Sequence, residues 1–220
     1  MGDGAGSDQP AAPPHSQAGA ASQDPSPSET RMLPLHYEIR PERPHDLALI
    51  EPLLDRSFGP DRQARTVYRL REGLAPVPEL CFAAADRHDQ MLASLRFWPI
   101  RIARLAAILL GPLAVEPALQ GRGMGRALVA HGLAEARRHG HRLCVVVGEP
   151  EYYRPYGFVN APSRGLSLPG PVDPRRFQVA EIEPGAFADL AGRHGRGGHI
   201  GRADGDPDGL APPTSMRTRR

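Results

Sequence analysis

"EPALQGRGMGRALVAHG", residues 116–132, holds four glycines with Arg122 and Arg126 set among them, a proline just before, and a helical pattern after. A glycine turn that runs into a helix points several backbone N–H groups in one direction. The first helical turn has no internal acceptors for its amides, and the helix dipole is positive there. That arrangement is an anion site, best suited to a phosphate or pyrophosphate. Glycine is the fitting residue because a side chain would block close approach. The two arginines would add charge.

Outward from this stretch the chain reads as a βαβ unit. "LAAILLGPLAV" (105–115) is an apolar strand, continuous enough to be covered on both faces. A helix follows from about Gly125 to His139, with Arg137, Arg138 and His139 in its last turn and Gly140 after it. "RLCVVVGE" (142–149) is the next buried strand, reached by a right-handed crossover. Upstream, "LHYEIR" reads as a strand and "RPHDLALIEPLLDRSF" as a helix, with Leu47, Ile50, Leu53 and Leu54 at helical spacing. "DRQARTVYRLREG" reads as a second helix closed by Gly73. "ELCFAAAD" and "MLASLRFWPIRI" are strands joined through the turn "RHDQ". Downstream, short strands are predicted near Gly165–Leu168 and Phe177–Glu181. The domain is expected over 34–192, between a polar tail at 1–33 and another at 193–220, both disordered. Met32 lies where the folded part begins and offers a second start codon beside Met1.

Three phosphate-binding patterns compete for the glycine turn. The P-loop needs a lysine, and the chain has none. The dinucleotide fingerprint G-x-G-x-x-G fits Gly121 and Gly123 but meets Arg126 at its third glycine, and Glu149 is its one candidate ribose acid. Gln120-Gly121-Arg122-Gly123-Met124-Gly125 fits Q-x-x-G-x-G in full, directly after a strand ending "LAVEP", with "YYRPYGF" beyond the next strand. In this order of motifs the sequence resembles the GNAT superfamily of acyl-CoA-dependent N-acetyltransferases, and more narrowly a bacterial branch of it. The close resemblance covers about 105–158, and a looser one about 36–190.

The resemblance implies an α/β fold of the GNAT type: a central mixed sheet with splayed middle strands and flanking helices. It implies that the amides from Gly121 to Arg126, beside Gln120, hold the pyrophosphate of coenzyme A. The pantetheine arm would run between the splayed strands and bond the backbone of Leu113, Ala114 and Val115. Gly111-Pro112 offers a cause for the splay, since proline removes a ladder donor and belongs at an edge or bulge. Acetyl-CoA would be a co-substrate and a primary amine the acceptor. A lysine-type amine has pKa ~10.4, so about one molecule in 2500 is neutral at pH 7 and the enzyme must deprotonate it. Glu149 is the first candidate base and Glu116 the second; each ends a central strand, and each could equally be a surface carboxylate. In the family's Y-x-x-x-G-F motif, Tyr153 precedes Gly157 and Phe158, and its hydroxyl would hydrogen-bond the developing thiolate. Tyr152 and Tyr156 are read as packing or wall residues, and at least one of Phe97 and Trp98 as core. Two departures stand out. The hairpin "RHDQMLAS" lacks the glycines common in the superfamily, and Pro155 interrupts the short helix around Tyr153.

Arg65, Tyr68, Arg69 and Arg71 cluster on the second helix. They read either as an exposed basic face or, if turned to the cleft, as a preference for an acidic acceptor or its carboxylate. Two other readings of the whole chain stay open: a non-catalytic acyl-CoA-binding module and a nicotinamide dinucleotide enzyme.

The totals set the outer bounds. In 220 residues, 27 basic groups face 25 acidic ones, a net charge of +2 without the basic stripe that nucleic acid requires. All the basic groups other than histidine are arginine, so the chain offers no lysine amine of its own for modification. Cys81 and Cys144 sit in apolar strand runs and read as free buried thiols; no metal site is indicated. No apolar run reaches the ~18 residues of a membrane span, and the first thirty residues are no secretory signal. The expectation is a cytoplasmic enzyme, monomer or homodimer, without membrane or nucleic-acid partners.

Overall fold

The computed structural model of the chain describes residues 36–64, 66–194 and 198–203. The expected N-terminal tail, most of the expected C-terminal tail, the alternative start at Met32 and Arg65 lie outside the described residues. Strand β1 (Glu38–Pro41) is followed by helix α1 (Leu47–Phe58) and the short helix α2 (Thr66–Arg69). Strands β2 (Cys81–Ala85), β3 (Met91–Ile102) and β4 (Leu105–Val115) come next, then α3 (Met124–Arg138) and β5 (Leu143–Val147). The remainder is α4 (Pro150–Tyr153), β6 (Val159–Asn160), β7 (Leu166–Ser167), β8 (Phe177–Glu181), α5 (Ala186–His194) and β9 (Gly198–Arg202). The main sheet runs β1-β2-β3-β4-β5-β8-β6; only β4 and β5 are parallel neighbours within it. This is the mixed α/β architecture implied by the sequence.

The middle of the sheet is split. The β4–β5 ladder holds two register pairs, Ile108↔Cys144 and Leu109↔Val145, and then stops although both strands continue. The cause lies in β4. Leu95 pairs with Leu113 and Phe97 with Leu110, so Gly111 and Pro112 together oppose only Arg96. One extra residue bends the bulged strand and raises its local twist. Gly111 has φ +115°, a conformation that a residue with a Cβ resists. The Gly-Pro pair therefore marks a bulge, and beyond it β4 turns away from β5.

Helix α3 packs against the sheet through a close approach. A Cβ on Gly132 would lie 2.6 Å from Cε2 of Phe97 and 3.1 Å from Cδ2 of Leu95. Gly132→Ala is expected to cost about 1–3 kcal/mol by overpacking, read as a lower urea midpoint with unchanged m-value. The helix closes with a Schellman motif: His141 N–H donates to the Ala136 carbonyl (3.0 Å) and Gly140 N–H to that of Arg137 (3.1 Å), with Gly140 at φ +77°.

Several expectations need correction. Among the apolar residues at helical spacing in α1, Leu47 is 58% exposed, while Ile50, Leu53 and Leu54 are buried against Ala83, Met91 and Ala114. The second helix is broken into a 3-10 turn (Pro60–Ala64) and the four residues of α2. Tertiary partners outweigh helix propensity there: Thr66 Oγ1 donates to the Pro171 carbonyl at 2.5 Å, and Leu70 and Arg71 turn into the interior. Gly198–Arg202, within the expected tail, forms β9, antiparallel to β3 and parallel to β7. Ile200 is fully buried in the cluster that holds Ile100, Ile102 and Leu190. The missing hairpin glycine is replaced by Asp89 at φ +60°, a region aspartate tolerates better than most residues. Its carboxylate accepts from Arg40 Nη2 (2.8 Å) and Arg43 Nη1 (2.7 Å). Among the described residues no helix is long and apolar enough to cross a membrane.

Candidate active site

The split between β4 and β5 opens a cleft of about 490 Å³. Its walls include Gly111 to Val115 from β4, Val146 to Glu149 at the end of β5, Gly121, Gly123, Gly125 and Arg126 around the start of α3, and Tyr152 and Tyr153. Ser57, Phe58, Val67, Tyr68 and Arg71 close it from the side of α1 and α2.

At the α3 end the amides are available. The first intrahelical bond runs from Ala127 N–H to the Gly123 carbonyl at 2.9 Å, and among the described residues no backbone acceptor meets the amides of Gly121 to Arg126. Gly121 and Gly123 take φ +78° and +84°, which brings the loop into the helix with no side chain over the amides. The site can hold a diphosphate through N–H donors and the helix dipole. Gln120 does a different job. Its own N–H donates to the Pro117 carbonyl at 3.3 Å, and its Nε2 donates to the Val115 carbonyl at 3.2 Å. Ser57 Oγ also donates to that carbonyl, at 3.3 Å. Gln120 thus braces the loop against β4, and the Val115 carbonyl is already engaged. Leu113 and Ala114 stay on the cleft wall. Met124 is buried at 1% exposure and Arg122 is exposed; neither lines the cleft.

At the other side Tyr153 lies 8% exposed, its ring edge-on to Tyr152 (centroids 4.9 Å) and Phe158 (5.5 Å). The ring presses on Gly148, where a Cβ would come within 2.2 Å of Cε2. Burial pushes the phenol pKa well above its ordinary value, with neighbouring Tyr152 adding to the effect. Pro155 does not spoil this placement. It starts a 3-10 turn, Arg154–Tyr156, that ends at Gly157 with φ +82°. Tyr152, read as a packing or wall residue, stands on the cleft wall: its hydroxyl is 2.6 Å from where a Gly125 Cβ would be, and burial pushes its pKa up to about 12. Arg126 stacks over its ring at 5.6 Å.

The two candidate bases separate. Glu149 lines the cleft at the start of α4, with Arg176 Nε 3.2 Å from its Oε1. Glu116 does not line the cleft; Arg56 of α1 holds both its oxygens, with Nη2–Oε2 at 2.9 Å. The basic cluster of the second helix also divides. Arg69 is exposed, while Arg71 is 8% exposed and stands on the cleft wall with Tyr68. Sequence reasoning missed Arg176 and Ser57 altogether, since neither belongs to a motif. Gly148 carried a readable signal: a glycine directly before Glu149 and five residues before Tyr153 marks a place where a ring needs room. Both cysteines are free and buried; burial pushes Cys81 up to about 12 and Cys144 further, so neither is a nucleophile at neutral pH. Among the described residues no cluster of His, Cys, Asp and Glu could hold a metal ion.

Known proteins share this layout. A family model described as the acetyltransferase (GNAT) domain matches residues 78–160. YhbS of Escherichia coli K12, an uncharacterized N-acetyltransferase, is 32% identical over 156 residues, which is 70% of this chain and 92% of YhbS. The crystal structure of YhbS in complex with CoA superposes with a TM-score of 0.64 at 30% identity, covering 76% of this chain and 90% of that one. A GNAT family acetyltransferase from Brucella melitensis, in complex with acetyl-CoA, gives 0.53 at 30% identity over 68% of this chain and 90% of that one. A split sheet, a bare helix entrance and relatives matched over nine-tenths of their length lead to one conclusion: the chain belongs to the GNAT family of N-acetyltransferases.

Proposed function

We propose that the chain transfers an acetyl group from acetyl-CoA to a primary amine by direct attack on the thioester. The observation that carries this reading is the open cleft between β4 and β5, which ends on the unbonded amides of Gly121 to Arg126. Those amides and the α3 dipole would hold the pyrophosphate. The pantetheine arm would lie along Leu113 and Ala114, where β4 keeps β3 but has lost β5 as a neighbour. A backbone N–H there would polarise the thioester carbonyl as its oxygen gains charge.

The amine nitrogen forms the new C–N bond, its remaining extra proton passes to water, and the C–S bond breaks as the tetrahedral intermediate collapses. Glu149, which lines the cleft with Arg176 beside it, would take the ammonium proton, directly or through water. The electron pair leaves on sulfur. Tyr153, on the cleft wall, would donate a hydrogen bond to that thiolate. An ordinary phenol (pKa ~10) is already about 2 kcal/mol too weak an acid to protonate an ordinary thiolate (~8.5) outright. Burial weakens the acid further, so Tyr153 stabilises charge while water completes protonation.

A melting-shift screen tests the binding step. Acetyl-CoA and CoA near 100 times Kd are expected to add about 2.7 kcal/mol of stability, and NAD none. Thiol release over an amine library tests turnover. Stabilisation by CoA without thiol release from any amine would make the chain a binding module, and stabilisation by NAD alone would overturn the reading.

A further inference from the structure

A second cavity, of about 400 Å³, adjoins the cleft and shares Tyr68, Arg71 and Pro112 with it. Its remaining walls are Glu51, Leu54, Arg69, Glu72, Arg96 and Trp98. Two of its five charged side chains are held in ion pairs. Arg96 is paired with Glu42 (Nη2–Oε2 2.8 Å), and Glu51 with Arg62. Arg71 is different. It lies between two rings, with its guanidinium carbon 5.0 Å from the Tyr68 centroid and 5.8 Å from that of Trp98. Its guanidinium hydrogen-bonds the Tyr68 side chain, no ion pair with a carboxylate forms among the described residues, and its Nε is buried without an acceptor. The Trp98 Nε1 is likewise buried without an acceptor. A buried charge lacking a counter-ion is costly, and an unmet buried donor adds a smaller cost of its own. Arg71 thus stands on the wall of both cavities as a buried cation with no carboxylate partner, and an anion in the open space beside it would supply one.

Position narrows the anion. Arg71 Nη2 would be 3.2 Å from a Cβ on Gly111, two residues beyond the last β4–β5 pair. This is the apex of the split, where β4 leaves β5, and on the acyl-transfer reading the thioester and the amine would meet near it. We propose that Arg71, with the Trp98 N–H, binds the carboxylate of a small amino-acid-like acceptor whose amine and carboxylate are a few bonds apart. The assignment rests on the acyl-transfer reading and names its substrate class. A planar guanidinium flanked by rings suits a carboxylate in two-point contact. Burial lowers the Arg71 pKa to about 10, so the group still carries its charge at neutral pH. Trp98 lines only the second cavity, not the cleft, so the paired donors favour the acceptor over a carboxylate on the acyl group.

The test compares amino carboxylates with their carboxamides as acceptors for acetyl-CoA, by thiol release. The wild-type chain is expected to prefer the carboxylate at least tenfold in kcat/KM. Arg71→Met should bring that ratio near one while CoA still raises the melting temperature. Trp98→Phe keeps the ring, removes the N–H and should lower the ratio several-fold. A turnover-free arm measures binding of N-acetylated amino carboxylates and their amides to the CoA-bound chain by calorimetry. Carboxylate-selective binding that Trp98→Phe weakens, with no thiol release from any amine, would sustain this site and sink acyl transfer alone. Equal use and equal binding of acid and amide by the wild-type chain would overturn the proposal, even if Arg71→Met fails to fold. So would a carboxylate preference that follows the donor, with succinyl-CoA outpacing acetyl-CoA on neutral amines and losing that lead in the Trp98→Phe variant.

Discussion

Tyr153→Phe is expected to lower kcat by about 10²–10³-fold, the usual cost of removing one donor aimed at developing charge. The substitution keeps the ring, and the ring is what the structure uses for packing: it fits edge-on to Tyr152 and Phe158 and against Gly148. Stability and the CoA melting shift should therefore hold while thiol release falls. A pH profile separates hydrogen bonding from proton transfer. Burial holds the phenol protonated through its ordinary pKa of ~10, so the donor form persists across the working range. The wild-type rate should climb with pH as the acceptor ammonium loses its proton, with no falling limb from Tyr153 below pH ~10. A descending limb near pH 8–9 that vanishes in Tyr153→Phe would show that the hydroxyl acts as an acid of much lower pKa, and the hydrogen-bond role would fall. Equal rates for the two proteins would remove Tyr153 from the chemistry altogether.

What was legible in the sequence follows from how local each signal is. The strands at 91–102 and 105–115 come through to the residue because long apolar runs have one stable partner geometry here. The glycine turn is legible for the same reason: its φ values and free amides are properties of the turn itself. The segment around Thr66 to Arg71 is the opposite case. Its arginines sit at helical spacing on a polar stretch, the pattern of a solvated face, yet Thr66 is tied to Pro171, 105 residues away, and Arg71 is drawn between Tyr68 and Trp98. Nothing in the neighbouring residues encodes that burial. Strand β9 was hidden likewise, because "GHIGR" gains its meaning only against the far end of β3. Glu116 shows the limit of position as a guide to function. It ends a central strand as Glu149 does, but Arg56 on another element claims its carboxylate. Motif order identified the family, and long-range contacts decided which of the candidate side chains face the cleft.

The entrance to α3 leads to the second large effect. Gly125 stands where three atoms converge: a Cβ there would lie 2.6 Å from the Tyr152 hydroxyl, 3.4 Å from Cγ2 of Val115 and 3.7 Å from Cδ2 of Leu113. A tyrosine hydroxyl is the far end of a side chain and can retreat from an alanine. It cannot retreat from a β-branched residue without leaving the wall it shares with Arg126, and the new methyls would also crowd the two β4 side chains. Gly125→Val is therefore expected to push the chain and Tyr152 into the volume over the unbonded amides, where a diphosphate needs direct N–H contact. Loss of two or three such charge-assisted bonds, each worth about 1.5–3 kcal/mol, should raise the CoA Kd by at least 100-fold. At a CoA concentration that adds about 2.7 kcal/mol to the wild-type chain, the variant should gain less than ~0.5 kcal/mol. Gly125→Ala should fall between the two. The fold itself should hold, because the residue lies at the mouth of the helix and the buried contacts of Leu128, Val129 and Gly132 further along α3 are untouched. The sequence alone required only that this position be bare. The structure adds the reason, a tyrosine standing over it, and with that reason a graded series in which affinity falls with side-chain bulk. A Gly125→Val chain that binds CoA as tightly as the parent would mean that the diphosphate is held elsewhere, and the cleft between β4 and β5 would then need a different occupant.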